Sequence, residues 1–276
     1  KLNKDLITSE LLEHLRSFGS KGKQIAFDIL DLPKHEEGHY MDAFGHKISY
    51  KGIITLKSSG VKHNLHKIQE EEIKKCMEDI HYFMSNYCKI VTKSGTDYPE
   101  LRPYQIEYLD AMVNVSLQSR QSGKSVVAAI YLIWLSLFKP DILIGIAANK
   151  NSSAKEVLNK IKNIYLGLPI WMMQGVKAWN KTFIEFENNV KILTDSTNGD
   201  SFRGYTVNVL YLDEVAWVKP GQWVDFEDAV FPAQGALSWK KSILTSTMKG
   251  LNHWWSLVNG AKTNNLKTVS HTFDGD

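Results

Sequence analysis

Residues 112–125 read MVNVSLQSRQSGKS, an apolar stretch that breaks into a polar loop ending in Gly123, Lys124 and Ser125. The apolar part predicts a buried β-strand, and a glycine-containing loop that opens a helix is typical of a phosphate-binding loop. In such loops backbone N–H groups at the helix N-terminus bind phosphate oxygens, the lysine reaches the β- and γ-phosphates, and the hydroxyl ligates Mg²⁺. The stretch therefore predicts a nucleoside triphosphate site.

The match to the phosphate-loop pattern is incomplete. Gln118 stands where the usual pattern has its first glycine, and Gly-Lys-Ser alone is a weak motif. A helix start capped by Ser122 would explain the same residues without a nucleotide. The interpretation therefore depends on finding a second half of the site elsewhere in the chain.

Residues 207–214 read VNVLYLDE, a strand pattern of branched and aromatic residues that ends in two adjacent carboxylates. Asp213 lies 89 residues after Lys124. In open α/β sheets ligands bind at the carboxyl ends of the strands, so both carboxylates are expected at the crevice. Asp213 would hold Mg²⁺, and Glu214 would orient and deprotonate the attacking water. The alternative is a solvated turn after a core strand.

Length and composition are those of a globular protein. A chain of 276 residues can bury a large core as one large or two small domains, and its net charge of +3 permits a nucleic-acid partner without requiring one. Cys76 and Cys88 lack metal-site spacing and are expected to be reduced thiols in a cytosolic compartment. The longest apolar run, residues 126–138, is too short to span a bilayer and predicts a buried helix.

The order of predicted elements indicates the fold class. Strands alternate with helices that start at Lys124 and near residue 154, which predicts an α/β fold with a mainly parallel sheet flanked by helices and right-handed connections. Residues 183–186 and 190–193 are predicted to pair as a hairpin. The predicted strands are residues 113–117, 142–147, 183–186, 190–193, 207–212, 242–246 and 268–272.

The first third of the chain has a different pattern. We predict a helix over residues 6–18, a hairpin within residues 40–56, one helix over residues 69–87 and a linker at residues 94–99. This divides the chain into an N-terminal elaboration, residues 1–98, and a nucleotide-binding core, residues 99–276.

Two further residues have chemical interpretations. Gln105, at the start of the helix before the loop, could bond an adenine edge with its amide, although a surface glutamine at a helix start is the plainer alternative. Arg120, inside the loop, could reach a γ-phosphate and stabilise charge in the transition state. Its alternative is a structural ion pair with Glu214 or Glu107.

Thr245, Ser246 and Thr247 follow an apolar strand pattern and are expected beside the strand that carries the carboxylates. Hydroxyls there could sense the γ-phosphate and couple its loss to movement. The alternative is that they only form a turn or cap the helix that begins near Asn252.

Four segments together carry a family resemblance. They are LRPYQ at residues 101–105, SRQSGKS at 119–125, LYLDE at 210–214 and TSTMKGLNHW at 245–254. They resemble the large terminase subunits of tailed bacteriophages, the ATPases of DNA-packaging motors, and Ser-Arg-Gln in place of the first glycines is characteristic of that family. The resemblance covers roughly residue 72 to the end. It implies a P-loop NTPase fold of the ASCE, RecA-like type with Walker A and Walker B motifs.

The resemblance also implies roles, position by position. It makes Lys124 a phosphate ligand, Ser125 and Asp213 the Mg²⁺ ligands, and Glu214 the catalytic carboxylate. Arg120 becomes the arginine finger and Gln105 the reader of adenine. The other nucleotide-binding loop residues are Ser119, Gln121, Ser122 and Gly123, and the coupling motif is Thr245, Ser246 and Thr247.

This sequence departs from the family pattern at two positions. Ser246 replaces a threonine that is common there, and Glu100 stands where some relatives have a second adenine-contacting glutamine, which weakens the expectation of strict adenine selectivity. Residues 201–204, Ser-Phe-Arg-Gly, also resemble the family's stretch before the second motif, and no role is assigned to them.

The resemblance implies cofactors and partners as well. ATP and Mg²⁺ would power translocation of double-stranded viral DNA into a procapsid, in the host cell cytoplasm and without a membrane. The implied protein partners are the portal protein, the small terminase subunit and further copies of the chain in a ring. Full-length relatives carry a C-terminal nuclease domain, and no nuclease activity is expected from these 276 residues.

Two other classes of protein remain as alternatives. One is a fragment of a superfamily-two-like helicase or translocase, which would need a second RecA-like domain. The other is a non-catalytic DNA-binding scaffold with a relic nucleotide site, against which the intact Lys124, Ser125, Asp213 and Glu214 argue. An ATP turnover assay separates the scaffold from both motors.

Overall fold

The computed structural model describes residues 6–31, 40–42, 44–92, 95–111, 115–263 and 268–271. The helices in these ranges are α1 Ser9–Arg16, α2 Gly19–Leu30, α3 Lys67–Glu78, α4 Ile80–Tyr87, α5 Pro103–Ala111, α6 Lys124–Phe138, α7 Asn151–Leu166, α8 Pro220–Gly235 and α9 His253–Thr263. The strands are β1 Ser49–Tyr50, β2 Ile53–Lys57, β3 Ile90–Thr92, β4 Gly95–Asp97, β5 Val115–Gln118, β6 Leu143–Ala148, β7 Val176–Trp179, β8 Phe183–Phe186, β9 Lys191–Ser196, β10 Val209–Asp213, β11 Lys241–Ser246 and β12 Thr268–His271.

One sheet of eight strands organises the described residues, in the order β12-β5-β11-β10-β6-β9-β8-β7. The strands from β12 to β9 are parallel, and β8 and β7 complete the sheet as antiparallel neighbours. The predicted α/β fold with a mainly parallel sheet is confirmed. Because β5, β11 and β10 are adjacent and parallel, their carboxyl ends lie at one edge of the sheet.

Burial explains which segments became strands and helices at the centre. All five residues of β10 are buried, as expected for a strand covered on both faces of a parallel sheet. The apolar run predicted as a buried helix forms most of α6, of which ten residues are buried. Within the described ranges, no helix has both the length and the apolar character needed to cross a membrane.

Several boundaries differ from the sequence predictions. The single helix predicted over residues 69–87 is wrong, because Asp79 adopts an extended conformation and its carboxylate caps α4 by accepting from the N–H groups of His81 and Tyr82. The predicted linker at residues 94–99 includes β4, which pairs with β3 in a short hairpin. The hairpin predicted within residues 40–56 is confirmed as the antiparallel pair β1 and β2. Residues 113, 114 and 272 of the predicted strands lie outside the described residues.

Strand β7 and helix α8 were not predicted at all. The apolar residues of α8 do not follow one clear stripe, and Pro232 lies inside the helix, so its sequence lacks the usual helical signal. Pro220 at its first turn is the start signal that the pattern did carry.

The N-terminal elements share a hydrophobic core with the helices and strands of the eight-stranded sheet. The larger buried cluster includes Leu12 and Tyr87 together with Ile133 and Ile192. The ammonium Nζ of Lys57 on β2 donates to the backbone oxygen of Met173 at 3.0 Å. Both cysteines are free and buried. Elements from before and after residue 99 therefore contribute to one hydrophobic cluster.

A buried ion pair joins three of the N-terminal helices. Arg16 on α1 donates through Nη2 to Glu72 on α3 at 2.8 Å, and Glu72 is fully buried. The hydroxyls of Tyr82 and Tyr87 on α4 donate to the same carboxylate at 2.8 and 2.5 Å. Each charged group thus has hydrogen-bonding partners, which is the condition under which a buried ion pair is tolerated.

The pKa of Glu72 reflects this balance. Burial raises the pKa of the carboxyl, but hydrogen bonding to Arg16, the charge of Arg16 and the two phenols outweigh it, and the net pKa lies below the ordinary value. A group with a depressed pKa in the folded state stabilises the fold above its unfolded-state pKa. That contribution is lost as the pH falls through the folded-state pKa.

We expect Glu72→Gln to lower the free energy of unfolding by about 3 kcal/mol at pH 7, because Arg16 would stay buried without its counter-charge. Urea denaturation measures the change. The difference between the variant and the wild type should narrow as the pH falls through the lowered pKa of Glu72, where the carboxyl of the wild type becomes protonated. Glu71→Gln is the control, since Glu71 lies on the same helix in an exposed pair with Lys67 worth at most about 1 kcal/mol. Equal losses in the two variants would contradict the analysis.

Candidate nucleotide-binding site

The phosphate loop connects the end of β5 to the start of α6. Gly123 is the N-cap of α6 in a left-handed conformation, with φ 82° and ψ 8°, and no side chain caps the helix. Ser122 instead donates to the Oε1 atom of Gln118 at 2.9 Å, so the explanation of the motif as a Ser122 cap is wrong. The first N–H groups of α6 are therefore left without a side-chain cap, as a phosphate-binding site requires.

Gln118 explains how the loop forms without the first glycine of the usual pattern. Its side chain is almost fully buried. Its amide donates to the hydroxyl of Ser116 at 2.8 Å and accepts from Ser122. The glutamine therefore braces the loop from below with side-chain hydrogen bonds.

Gln105 on α5 contacts the loop from the other side. Its Nε2 donates to the backbone oxygen of Ser122 at 2.9 Å, and its Oε1 accepts from the N–H of Arg102 at 2.9 Å. A Cβ atom at Gly123 would lie 2.3 Å from that Nε2, so a side chain there would force Gln105 to move away from the loop. Gln105 thus contacts the loop, and its contact with adenine stays a prediction.

The backbone at Glu214 brings both carboxylates to the loop lysine. Asp213 ends β10 and is buried, and Glu214 takes a left-handed conformation with φ 56° and ψ 40°. This interrupts the alternation of a strand, in which neighbouring side chains point to opposite faces. Lys124 Nζ consequently lies 2.7 Å from Glu214 Oε1 and 3.7 Å from Asp213 Oδ1. The alternative of a solvated turn is wrong.

Asp213 is held by a set of short contacts. The hydroxyl of Ser125 donates to its Oδ2 at 3.1 Å, and the hydroxyl of Thr245 donates to its Oδ1 at 3.0 Å. Burial raises the pKa of the Tyr108 and Tyr211 phenols well above their ordinary value, and the charge of Asp213 raises it further. Both phenols therefore stay neutral around a fixed carboxylate.

The Ser125 hydroxyl and the Asp213 carboxylate suit a hard cation. Mg²⁺ takes oxygen ligands and usually keeps several waters, using one or two carboxylates together with substrate phosphates. No three His, Cys, Asp or Glu side chains converge as a metal site in the part of the chain that the structure describes. This donor pair fits an ion that takes its other ligands from a nucleotide and water.

A cavity of about 380 Å³ opens over the loop, within the range of small-molecule sites. Its lining residues are Arg120, Gln121, Ser122, Gly123, Lys124, Ser125, Val126, Lys160 and Glu214. The hydroxyl of Ser119 is buried nearby in the loop without a hydrogen-bond partner among the described residues. Lys160 on α7 was not predicted, since a single lysine in an amphipathic helix carries no motif.

Arg120 lines the cavity and contacts an aromatic ring. Its guanidinium carbon lies 5.3 Å from the ring centroid of Trp217. Glu214 pairs with Lys124, and the alternative ion pair between Arg120 and Glu214 is not formed. The guanidinium thus lies beside the phosphate loop with a cation–π contact.

The three hydroxyls at the end of β11 each contact the neighbouring acidic segment. Thr245 reaches Asp213, the hydroxyl of Ser246 accepts from the N–H of Ala216 at 3.0 Å, and the hydroxyl of Thr247 accepts from the indole Nε1 of Trp217 at 3.1 Å. They lie beside the strand of the carboxylates, as predicted.

Residues Asn252 and His253 complete this junction, and the sequence did not predict the hydrogen bonds that they make. Asn252 Oδ1 accepts from the N–H of Trp254 at 3.1 Å, so Asn252 caps α9 and the alternative in which the three hydroxyls cap that helix is wrong. Its Nδ2 donates to the backbone oxygen of Ala216 at 2.9 Å. His253 Nε2 donates to the backbone oxygen of Val215 at 2.8 Å. The turn of residues 215–217, which follows Glu214 directly, is thereby bonded to the start of α9.

We expect Gly123→Ala to lower the free energy of unfolding by more than the roughly 1–2 kcal/mol of a left-handed alanine, because its Cβ also displaces Gln105. Gly204→Ala is the matched control, since Gly204 has φ 81° with open space around its Cβ position. Chemical denaturation of the two variants isolates the contact with Gln105. Adding Gln105→Ala to Gly123→Ala should remove the excess, and equal losses at the two glycines would contradict the geometry.

The fold is similar to that of a solved large terminase. The large terminase of bacteriophage HK97 superposes with a TM-score of 0.59 at 23% sequence identity, covering 72% of this chain and 45% of that chain. The large terminase ATPase domain of Thermus phage P74-26 has a TM-score of 0.47 at 18% identity, covering 58% and 69%. The large terminase of a thermophilic bacteriophage, solved in complex with ADP, has a TM-score of 0.48 at 17% identity, covering 62% and 46%. The chain spans less than half the length of the HK97 protein.

The sequence itself matches a protein family over most of the nucleotide-binding part. Residues 115–274 match the family described as terminase large subunit, T4likevirus-type, N-terminal. The match covers more than half of the chain and includes the phosphate loop, the acidic pair and the hydroxyls of β11. The chain therefore belongs to the family of terminase large subunits of the T4likevirus type.

Proposed function

We propose that this chain is an ATP-hydrolysing motor domain that powers translocation of double-stranded viral DNA into a procapsid. The observation that carries the proposal is the contact of Lys124 with Asp213 and Glu214. Lys124 and Glu214 also line the cavity over the phosphate loop. Two motifs that lie 89 residues apart meet at one ammonium group. Membership of the terminase family supports the DNA-packaging part of the proposal.

The phosphates of ATP would bind at the start of α6. The free N–H groups of the loop and the positive end of the helix dipole favour an anion there. Lys124 would exchange its carboxylate contacts for the β- and γ-phosphates. Its side chain is only 9% exposed, and in such a poorly solvated site the attraction between opposite charges is stronger than in water.

Ser125 and Asp213 would hold Mg²⁺. When bound, Mg²⁺ neutralises charge on the β- and γ-phosphate oxygens during transfer. The hydrogen bond from Thr245 and the N–H of Glu214, 3.0 Å from Asp213 Oδ1, keep the carboxylate oriented for this task.

Glu214 would act as the general base. A water oxygen forms a bond to the γ-phosphorus while Glu214 accepts a proton from that water. The bond between the γ-phosphorus and the bridging oxygen breaks, and its electron pair leaves with ADP. Lys124 stabilises the negative charge on the transferring group. The products are ADP and inorganic phosphate.

Two more residues have proposed roles at the nucleotide. Arg120 would leave Trp217 and place its guanidinium against the γ-phosphate of its own site as an arginine finger. Gln105 would read adenine with the second N–H and the remaining lone pair of its amide. In the same way, residues 99–276 are proposed as the ATPase core and residues 1–98 as its elaboration.

Thr245, Ser246 and Thr247 are proposed as the coupling motif. Thr245 touches the proposed Mg²⁺ ligand, and Ser246 and Thr247 bond the turn that follows Glu214. A change at Asp213 or Glu214 on loss of the γ-phosphate would therefore reach the start of α9 through Asn252. This movement would translocate double-stranded DNA in the host cytoplasm. The proposed protein partners are the portal protein, the small terminase subunit and neighbouring copies of the chain in a ring.

We expect Lys124→Ala to lower the rate of Mg²⁺-dependent ATP hydrolysis at least about 100-fold, because the transferring phosphate loses its main positive contact. Glu214→Gln should bind ATP and hydrolyse it at least about 100-fold more slowly, because an amide cannot accept the proton. Phosphate release measures both effects. Glu227→Gln, at an exposed position on α8, should keep the wild-type rate. Wild-type turnover in Glu214→Gln would remove Glu214 from the base role.

We expect Thr247→Ala, introduced into the whole terminase, to bind ATP within about twofold of the wild type and yet fail to package DNA. The loss of the hydrogen bond to Trp217, worth about 1 kcal/mol, frees the turn after Glu214 from the end of β11. Packaging of DNA into procapsids and single-turnover hydrolysis measure the two effects separately. Thr247→Ser keeps a hydroxyl and should package normally. Normal packaging by Thr247→Ala would refute the coupling assignment.

A further inference from the structure

We propose that Lys160 is a second phosphate-binding lysine of the nucleotide cavity. It lies on α7, outside every motif of the phosphate loop and the acidic segment, and it lines the same cavity as Lys124 and Glu214. This inference rests on the proposed function, since it assigns a further ligand to the nucleotide of that site.

The position of Lys160 on α7 directs its side chain to the cavity. Val157, Ile161 and Ile164 are buried on the face that packs into the core. Lys160 borders that face and is half buried. A lysine at such a border can lay its apolar stem along the core and keep its ammonium in a polar space, which here is the cavity.

The charges around the cavity favour an anion at Lys160. The lining includes three cationic side chains, Arg120, Lys124 and Lys160, and one carboxylate, Glu214. Lys124 already pairs with Glu214, and Arg120 lies over Trp217. Lys160 forms no hydrogen bond or ion pair with the residues that the structure describes. Its charge is thus available to a phosphate group.

The plainer explanation is a solvated lysine on the outer face of a helix. Glu156 lies one turn earlier, at the spacing of a helical ion pair, but no such pair joins it to Lys160 in the described part of the chain. Lys155 provides the matched comparison, because it is half buried on the same helix and does not line the cavity.

The test uses ADP and inorganic pyrophosphate with Mg²⁺, titrated calorimetrically into the 276-residue chain. Pyrophosphate lacks base and sugar and therefore reports on phosphate contacts alone. We expect Lys160→Met, which keeps the apolar stem, to weaken both probes about tenfold, as loss of one charge-assisted hydrogen bond would. Lys160→Arg should bind within about twofold of the wild type, and Lys155→Met should bind like the wild type.

Unchanged binding of both probes by Lys160→Met would overturn the inference. Weaker ADP binding with unchanged pyrophosphate binding would also overturn it, because the lysine would then contact the base or sugar. Lys160→Gln, with a polar end, serves as a second variant if Lys160→Met does not fold. If the wild type binds neither probe, the proposed function fails. If Lys124→Ala weakens both probes and the Lys160 variants do not, only this inference fails.

Discussion

The contact of Lys124 with two carboxylates is the interaction on which the site depends. Lys124 follows β5, and Asp213 and Glu214 end or follow β10, two strands that are not neighbours because β11 lies between them. One ammonium can reach across only because the three strands are parallel and end at the same edge of the sheet. The parallel order is in turn maintained by strands such as β10, which is buried along its whole length. The packing of the buried parallel strands therefore also fixes the geometry of the site.

The position of β11 places the proposed coupling residues between the two halves of the site. Thr245 is in register with Ser116 on β5, and its hydroxyl touches Asp213 on β10. The guanidinium of Arg120, from the phosphate loop, lies over the ring of Trp217. The indole N–H of Trp217 donates a hydrogen bond to the hydroxyl of Thr247. Coupling needs an element whose arrangement both sites can bias. The turn of residues 215–217 meets that physical requirement, since it is bonded to the end of β11 and directly follows Glu214.

The sequence predicted the parts of the site that form local sequence motifs. It did not predict the parts that depend on backbone conformation or on packing. The strand of Asp213 was predictable because a continuous apolar run ends in carboxylates, whereas the left-handed backbone at Glu214 is not, since glutamate carries no preference for it. Helix α8 was not predictable because its apolar residues do not form a stripe along one face of the helix. Asp79 was read as one more acidic residue of a helix, although its carboxylate starts a new one. Lys160 approaches the cavity through the packing of α7, which no local pattern encodes.

Lys124, which would bind the phosphates of ATP, forms an ion pair with Glu214, the proposed general base of hydrolysis. With Lys124 Nζ at 2.7 Å from Glu214 Oε1, the ammonium occupies a carboxylate oxygen that would otherwise face the attacking water. Phosphate oxygens that attract the ammonium would loosen that pair and free the Glu214 carboxylate for the attacking water when a substrate is present. The pair is partly shielded from solvent, since the side chain of Lys124 is 9% exposed and that of Glu214 is 28% exposed. Water would therefore solvate the separated charges poorly, and the ammonium needs the phosphate oxygens as new partners. A cation outside the pair, such as Lys160, would help to attract the first phosphate before this exchange begins.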